Sequence, residues 1–149
     1  MDNRGNILAP CVLAAVNVND SKLFPDSLDN LTAATMAAGI DLFGSFLTLD
    51  SIFYGDRNHQ IIEVAGLVPV IKPNHRNTKN PTIIKAREDQ FADVLSLYRL
   101  RFSVERTFAW ESKYRRLVVR YEKKQQIARD WRMLAASMVN FRECFGRET

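Results

Sequence analysis

The feature that most constrains this sequence is an acid placed on the apolar side of an expected helix. At about 100° per residue, Phe91, Leu95, Tyr98 and Phe102 fall on one side, and Glu105 lies only roughly 20° from Tyr98. Burying an ionised carboxylate costs several kcal/mol unless a cation or strong donors meet it. We therefore expect Glu105 to have a partner.

The residues alone leave the partner of Glu105 open. Arg101 stands four positions earlier, and such an i,i+4 pair is worth only a few tenths of a kcal/mol. Arg106 and a bound divalent metal ion are the other candidates. The helix that carries Glu105 is predicted to begin near Arg87.

Length and composition limit the classes of protein to which this chain can belong. With 149 residues, of which 46% are hydrophobic and 26% charged, the chain is long enough for one globular domain over residues 1–149. No apolar run approaches the roughly 18 residues of a membrane span, so we expect a soluble protein without a membrane partner. Cys11 and Cys144 have no metal-ligand spacing and are interpreted as small hydrophobes in a reducing compartment.

Charge is distributed unevenly along the chain. Residues 1–56 hold two Lys or Arg against seven Asp, whereas residues 99–132 hold eleven Lys or Arg against four acids. An acidic half suits a protein that gathers carboxylates around a metal ion, and a basic half suits one that binds a phosphate backbone. A solvated helix face is the alternative, although it would normally contain as many acids.

The first half of the chain alternates strand and helix signals. Residues 7–16 are short and continuously apolar, which predicts a buried strand, and Asn19 caps a helix that continues toward Gly39. Residues 45–49 predict a second strand that ends at Asp50. An acid at the carboxyl end of such a strand points into the crevice where α/β sheets bind ligands; a cap or turn role is the alternative.

A polar loop and a basic series follow. Residues 72–81, KPNHRNTKNP, form a Pro-bounded loop that either contacts DNA phosphates or is an ordinary surface loop. Residues 82–84 are expected to extend or flank the sheet. Arg106, Lys113, Arg116 and Arg120 would form a basic stripe on a regular helix, unless residues 117–119 break it. A last helix is predicted to pack its apolar stripe into the core, namely Ile127, Trp131, Leu134, Met138 and Phe141.

A family resemblance rests on residues 98–117. Tyr98, Arg101 and Glu105 spell Y-x2-R-x3-E, followed by RTFAW at 106–110 and YRRL at 114–117. This resembles the C-terminal signature of IS4/IS5-type insertion-sequence transposases, whose catalytic domain has the DDE, ribonuclease-H-like fold. The family pattern places a basic residue six positions beyond the Glu, where this chain has Ser112, with Lys113 one place later.

The resemblance implies a fold and a missing residue. Residues 50–71 are similar to the family's second-Asp segment, with strand, acid, aromatic residue, helix, Gly and strand in order. The implied architecture is α/β (α+β), a partial ribonuclease-H-like fold with a central mixed sheet of about three remaining strands, flanking helices and two long C-terminal helices. Asp2 does not match the family's first catalytic Asp. The chain as given is therefore expected to begin inside the catalytic domain.

The resemblance also implies chemistry and partners. Asp50 and Glu105 would be catalytic acids and ligands of Mg2+ or Mn2+ in an enzyme that cleaves and transfers DNA strands. Without the first acid we expect little activity; the alternative is a non-catalytic remnant that binds DNA or a full-length transposase. The other partners are double-stranded DNA, as terminal repeats and target, and a homo-oligomer, in the bacterial cytoplasm at the nucleoid. The expected DNA-contacting residues are Lys72, His75, Arg76, Lys79, Arg101, Arg106, Lys113, Arg115, Arg116 and Arg120.

A third expectation concerns folding rather than chemistry. A sheet without its first strands would expose unpaired strand edges and apolar surface. For this reason the chain is expected to aggregate.

Overall fold

A computed structural model describes residues 1–15, 17–76, 78–113 and 124–146. The predicted mixture of helices and strands is confirmed. The chain divides into unit 1, Met1–Ile40 with Phe102–Thr149, and unit 2, Asp41–Arg101. The elements are α1 (Asp20–Ala37), β1 (Phe46–Leu49), α2 (Asp56–Val64), β2 (Val68–Ile71), α3 (Pro81–Arg99), α4 (Phe102–Glu111) and α5 (Gln125–Phe145).

Unit 2 is built around a parallel strand pair. Phe46 of β1 pairs with Val68 of β2, and Leu49 pairs with Ile71, so both strands end at the same edge. Helix α2 connects them and packs on β2, with Ile62 fully buried. Gly66 takes a φ of 78° in the turn before β2, a conformation that glycine adopts without steric cost.

The sheet is smaller than predicted. Two parallel strands are found among the described residues, rather than about three in a mixed sheet. Residues 7–15 form no strand. Instead, the Asn140 side chain accepts a hydrogen bond from Ile7 N at 2.7 Å and donates one to Ile7 O at 2.9 Å, while Gln125 donates to Leu13 O. Side-chain amides of α5 thus take the place of a neighbouring strand.

The helix starts follow local signals, with one correction. Asn19 caps α1 by accepting from Ser21 N, and Gly39 follows its end with a φ of 68°. Asn80 caps α3 in the same way, and Pro81 is its first residue. A capping Asn followed by Pro starts a helix, so residues 82–84 do not extend the sheet but belong to a helix that contacts β1 and β2.

The predicted continuous helix past Glu105 is also wrong. Helix α3 ends at Arg99 and α4 begins at Phe102. Between them, Leu100 N bonds to Leu97 O and Arg101 N bonds to Tyr98 O, so the last turn tightens to i→i−3 spacing. No Pro or Gly marks this break in the sequence.

Helix α5 forms where predicted, but its buried face is different. Its buried residues are the small side chains Ala135 and Val139. Of the stripe predicted to pack in the core, Leu134, Met138 and Phe141 are 51%, 49% and 66% exposed. Periodicity located an apolar stripe, but the structure buries another side of the helix.

Two surface properties complete the fold. Cys11 and Cys144 are both exposed, so neither is a buried small hydrophobe. Among the helices of the described residues, none combines the length and the apolar character that a bilayer span needs.

Candidate functional site

The carboxylate of Asp50 lies at the carboxyl end of β1, as predicted. Its Oδ1 accepts from Ser51 N at 2.6 Å, which starts a short 3-10 turn at Ser51–Phe53. The cap role considered from the sequence is therefore present. Its Oδ2 points elsewhere, and the side chain is 51% exposed. One oxygen is held by the backbone while the other is open to a cation.

Arg101 supplies that cation in unit 2. Its Nη2 lies 3.3 Å from Asp50 Oδ2, and its guanidinium stands over the Tyr98 ring at 5.9 Å. The side chain of Tyr98 also contacts Phe91 edge to face. One member of the Y-x2-R-x3-E pattern, Arg101, thus lies beside the predicted second acid and also contacts Tyr98.

The loop after β2 begins at the same edge of the sheet as Asp50 and is hydrogen-bonded there. Because Leu49 and Ile71 are paired, Lys72 follows β2 where Asp50 follows β1. Asn74 donates to Ser51 O at 3.2 Å, a contact that the sequence analysis missed. Lys72, Arg76 and Lys79 are exposed, so the loop presents three cations.

His75 has a structural contact within this loop. Its Nε2 lies 3.3 Å from Glu88 Oε1 on α3, and its buried Nδ1 has no hydrogen-bond partner among the described residues. The ring therefore holds the loop against α3. His59, for comparison, places Nδ1 2.9 Å from the Gly55 carbonyl oxygen.

Glu105 belongs to unit 1, where α4 exposes it. The buried face of α4 is polar and consists of Ser103 and Thr107, which are 7% and 3% exposed. Glu105 falls roughly 160–200° around the helix from these two residues. The expectation of a buried acid on an apolar stripe is wrong, because the helix break resets the register at residue 100.

The buried face of α4 holds an N-terminal turn. Thr107 Oγ1 donates to Gly5 O at 3.0 Å. Burial disfavours the charged form of Asp2, but hydrogen bonds from the Asn6 side chain and from the backbone N–H groups of Asn6, Arg4 and Gly5 outweigh it and lower the pKa of that carboxyl. Asp2 therefore closes the turn at residues 2–6, and its carboxylate accepts from Arg4 N, Asn6 N and the Asn6 side chain.

Two basic residues of unit 1 contact the same aromatic ring. Lys113 Nζ lies 3.8 Å from the centroid of the Trp110 ring, and the guanidinium carbon of Arg142 lies 3.4 Å from it. Arg142 was not predicted from the sequence, because it lies 32 residues from Trp110. Arg106 is exposed and approaches Arg4 O at 3.5 Å. Arg115, Arg116 and Arg120 lie outside the described residues.

The donors for a metal ion are of the right type but too few to complete a site. Carboxylate oxygens are the ligands that Mg2+ prefers, and Asp50 has a half-exposed carboxylate whose Oδ2 is paired with Arg101. Among the described residues, no group of three or more His, Cys, Asp or Glu could hold an ion. A pocket of about 400 Å³ in unit 1, which Asp26, Asn30 and Arg129 help to line, includes none of the predicted site residues.

Comparison with known proteins gives one match. The model of a family described as transposase DDE domain matches residues 1–140. No curated protein and no solved structure matches the chain.

Proposed function

Because this chain belongs to the transposase DDE-domain family, we propose that it derives from an enzyme that cleaves and transfers DNA strands during transposition. The observation that carries the proposal is the family match, which covers residues 1–140. The Y-x2-R-x3-E order further favours an element of the IS4/IS5 type, with a partial ribonuclease-H-like fold. Its substrate would be double-stranded DNA, as terminal repeats and target.

We propose Asp50 and Glu105 as catalytic acids and metal ligands. Asp50 is supported by its position at a strand end and by its exposed side chain. Glu105 is supported by its place in the sequence pattern and by its exposure. Bound Mg2+ or Mn2+ would activate the attacking oxygen and neutralise charge at phosphorus.

Residues of the chain itself have separable roles in this proposal. The backbone N–H of Ser51 orients the Asp50 carboxylate, and Arg101 neutralises it. Asn74 holds the loop after β2 at the same edge, where Lys72, Arg76 and Lys79 would contact phosphates. Phosphate contacts of this kind position DNA without reading its sequence.

We propose that Asp2 does not serve as a further catalytic acid, because its carboxylate accepts hydrogen bonds within the turn at residues 2–6. We therefore expect the chain to nick DNA weakly or not at all. A supercoiled plasmid carrying terminal repeats, incubated with Mg2+, tests this expectation. Strong nicking that disappears in both Asp50→Ala and Glu105→Ala would contradict the impairment and would support both acid assignments.

A second candidate function is a non-catalytic module that binds DNA or a full-length transposase. The exposed cations of the loop favour it. DNA affinity should then fall linearly with salt on logarithmic axes and should persist in Glu105→Ala. Lys79→Ala should reduce the slope by about 1 if the residue contacts a phosphate. Lys85→Ala, an exposed lysine on α3, is the matched control; an equal effect of both substitutions would argue against a loop interface.

A further inference from the structure

Both carboxylate oxygens of Asp50 have a donor in unit 2. Oδ1 accepts from Ser51 N at 2.6 Å and from the Ser51 hydroxyl at 3.3 Å, which are contacts within the turn that follows β1. Oδ2 lies 3.3 Å from Nη2 of Arg101, which stands 51 residues later in the chain. Ser51 thus holds one oxygen of the carboxylate, and Arg101 holds the other.

The contact with Arg101 bears directly on the binding of a metal ion. A guanidinium and a divalent cation are drawn to the same carboxylate oxygen, since both are positive. For the same reason they repel each other at close range, and the repulsion is strong because the ion carries two charges. An ion that binds at Oδ2 therefore has to displace Arg101.

The contact is weak enough to be displaced. The distance of 3.3 Å from Nη2 to Oδ2 exceeds the about 2.7–2.9 Å of a strong charge-assisted hydrogen bond. The guanidinium carbon stands 5.9 Å from the centroid of the Tyr98 ring, near the limit of about 6 Å for a cation–π contact. The Asp50 side chain is half-exposed, so water screens the attraction. Neither contact locks the guanidinium in place.

The backbone nevertheless keeps Arg101 next to Asp50. Helix α3 packs on both strands of unit 2 and ends at Arg99. Beyond that end, Arg101 N donates to Tyr98 O, so the tightened turn fixes the backbone from which the side chain extends. Rotation about side-chain bonds alone can then move the guanidinium off Asp50 and return it.

We propose that Arg101 is an autoinhibitory residue, which competes with a divalent cation for Oδ2 of Asp50. Without an ion, Arg101 neutralises the carboxylate. With an ion, the Arg101 side chain rotates away, and the cost of breaking the pair lowers the affinity of the chain for the ion. The inference rests on the proposed role of Asp50 as a metal ligand.

Mn2+ binding to the full chain, followed by electron paramagnetic resonance of the free ion, tests the competition. Because an exposed ion pair changes an equilibrium constant by up to about fivefold, we expect Arg101→Gln to raise the Mn2+ affinity about 2–5-fold. A merely structural role of Arg101 predicts the opposite sign, since a disturbed site binds an ion less tightly. The matched control is Arg99→Gln, which removes the same charge from an exposed position at the end of α3 and should raise the affinity less.

Repeating Arg101→Gln in an Asp50→Asn chain shows whether the effect passes through Asp50. We expect no gain in affinity there, because the carboxylate for which Arg101 competes is gone. An equal gain in both backgrounds, or an equal gain from Arg99→Gln, would overturn the proposal, since the charge would then act from any position.

The same measurements separate failure of this inference from failure of the metal site itself. If Asp50→Asn weakens Mn2+ binding but Arg101→Gln leaves it unchanged or weaker, the competition is overturned and Asp50 remains a metal ligand. If neither substitution changes the Mn2+ affinity, both the competition and the metal-binding role of Asp50 are overturned.

Discussion

The substitution Asp50→Asn separates the functional interpretation of this residue from its structural one. Asn caps helices as well as Asp does, so the amide oxygen can still accept from Ser51 N. What is lost is the ion pair with Arg101. The side chain of Arg101 is 33% exposed in this pair, and that of Asp50 is 51% exposed. Exposed pairs of this kind contribute about 0–1 kcal/mol. We therefore expect Asp50→Asn to lower the free energy of unfolding by less than about 1 kcal/mol.

The matched variant is Asp50→Ala, which removes both contacts. Loss of a capping side chain costs about 1 kcal/mol, so we expect a total loss of about 1–2 kcal/mol. Urea denaturation followed by far-UV circular dichroism measures both variants. Mn2+ binding, followed by electron paramagnetic resonance of the free ion, should in contrast fall equally in both. If Asp50→Asn keeps the Mn2+ affinity of the wild type, the role of Asp50 is structural and does not include metal binding.

Two further predictions concern unit 1. Asn140→Ala should lower the free energy of unfolding by about 1–3 kcal/mol, since it leaves the N–H and C=O of Ile7 unpaired. It should also speed hydrogen exchange at the Ile7 amide. Gln125→Ala, which removes one exposed hydrogen bond to Leu13 O, should lower the free energy of unfolding less, and equal effects of the two substitutions would contradict the reasoning. Because its pKa is lowered in the folded chain, the Asp2 carboxylate should stabilise the fold at pH values above its unfolded pKa of about 4. This contribution should be lost as the pH falls through the lower pKa of the folded state. The acid unfolding curves of the wild type and of Asp2→Asn should therefore diverge in this pH range, and coinciding curves would contradict the reasoning.

Local signals in the sequence predicted the start of α1 and the first strand of unit 2. The Asn19 cap and the glycines at 39 and 66 act within a few residues of the chain, so their effect is visible without tertiary information. The position of Asp50 at the end of β1 follows from the same kind of signal. Its pairing with Arg101, 51 residues away, does not.

The failed predictions concern features that tertiary contacts, rather than local sequence signals, determine. Residues 7–15 have the composition of a buried strand, but strand formation needs a partner, and here Asn140 supplies the hydrogen bonds instead. On α5, the apolar period located a stripe but could not decide which side meets the core. Near Leu100, the helix ends without Pro or Gly, so Glu105 takes a different face from the one that continuous periodicity predicts.

We propose that Asp50 and Glu105 both bind a divalent ion, and a double-mutant cycle of Mn2+ affinity tests this proposal most directly. We predict that Asp50→Asn and Glu105→Gln each weaken Mn2+ binding by about tenfold or more, equivalent to at least about 1.4 kcal/mol. The double variant should then lose little more than either single one, because both residues act on the same ion. Losses that simply add, or an affinity that neither substitution changes, would contradict the claim.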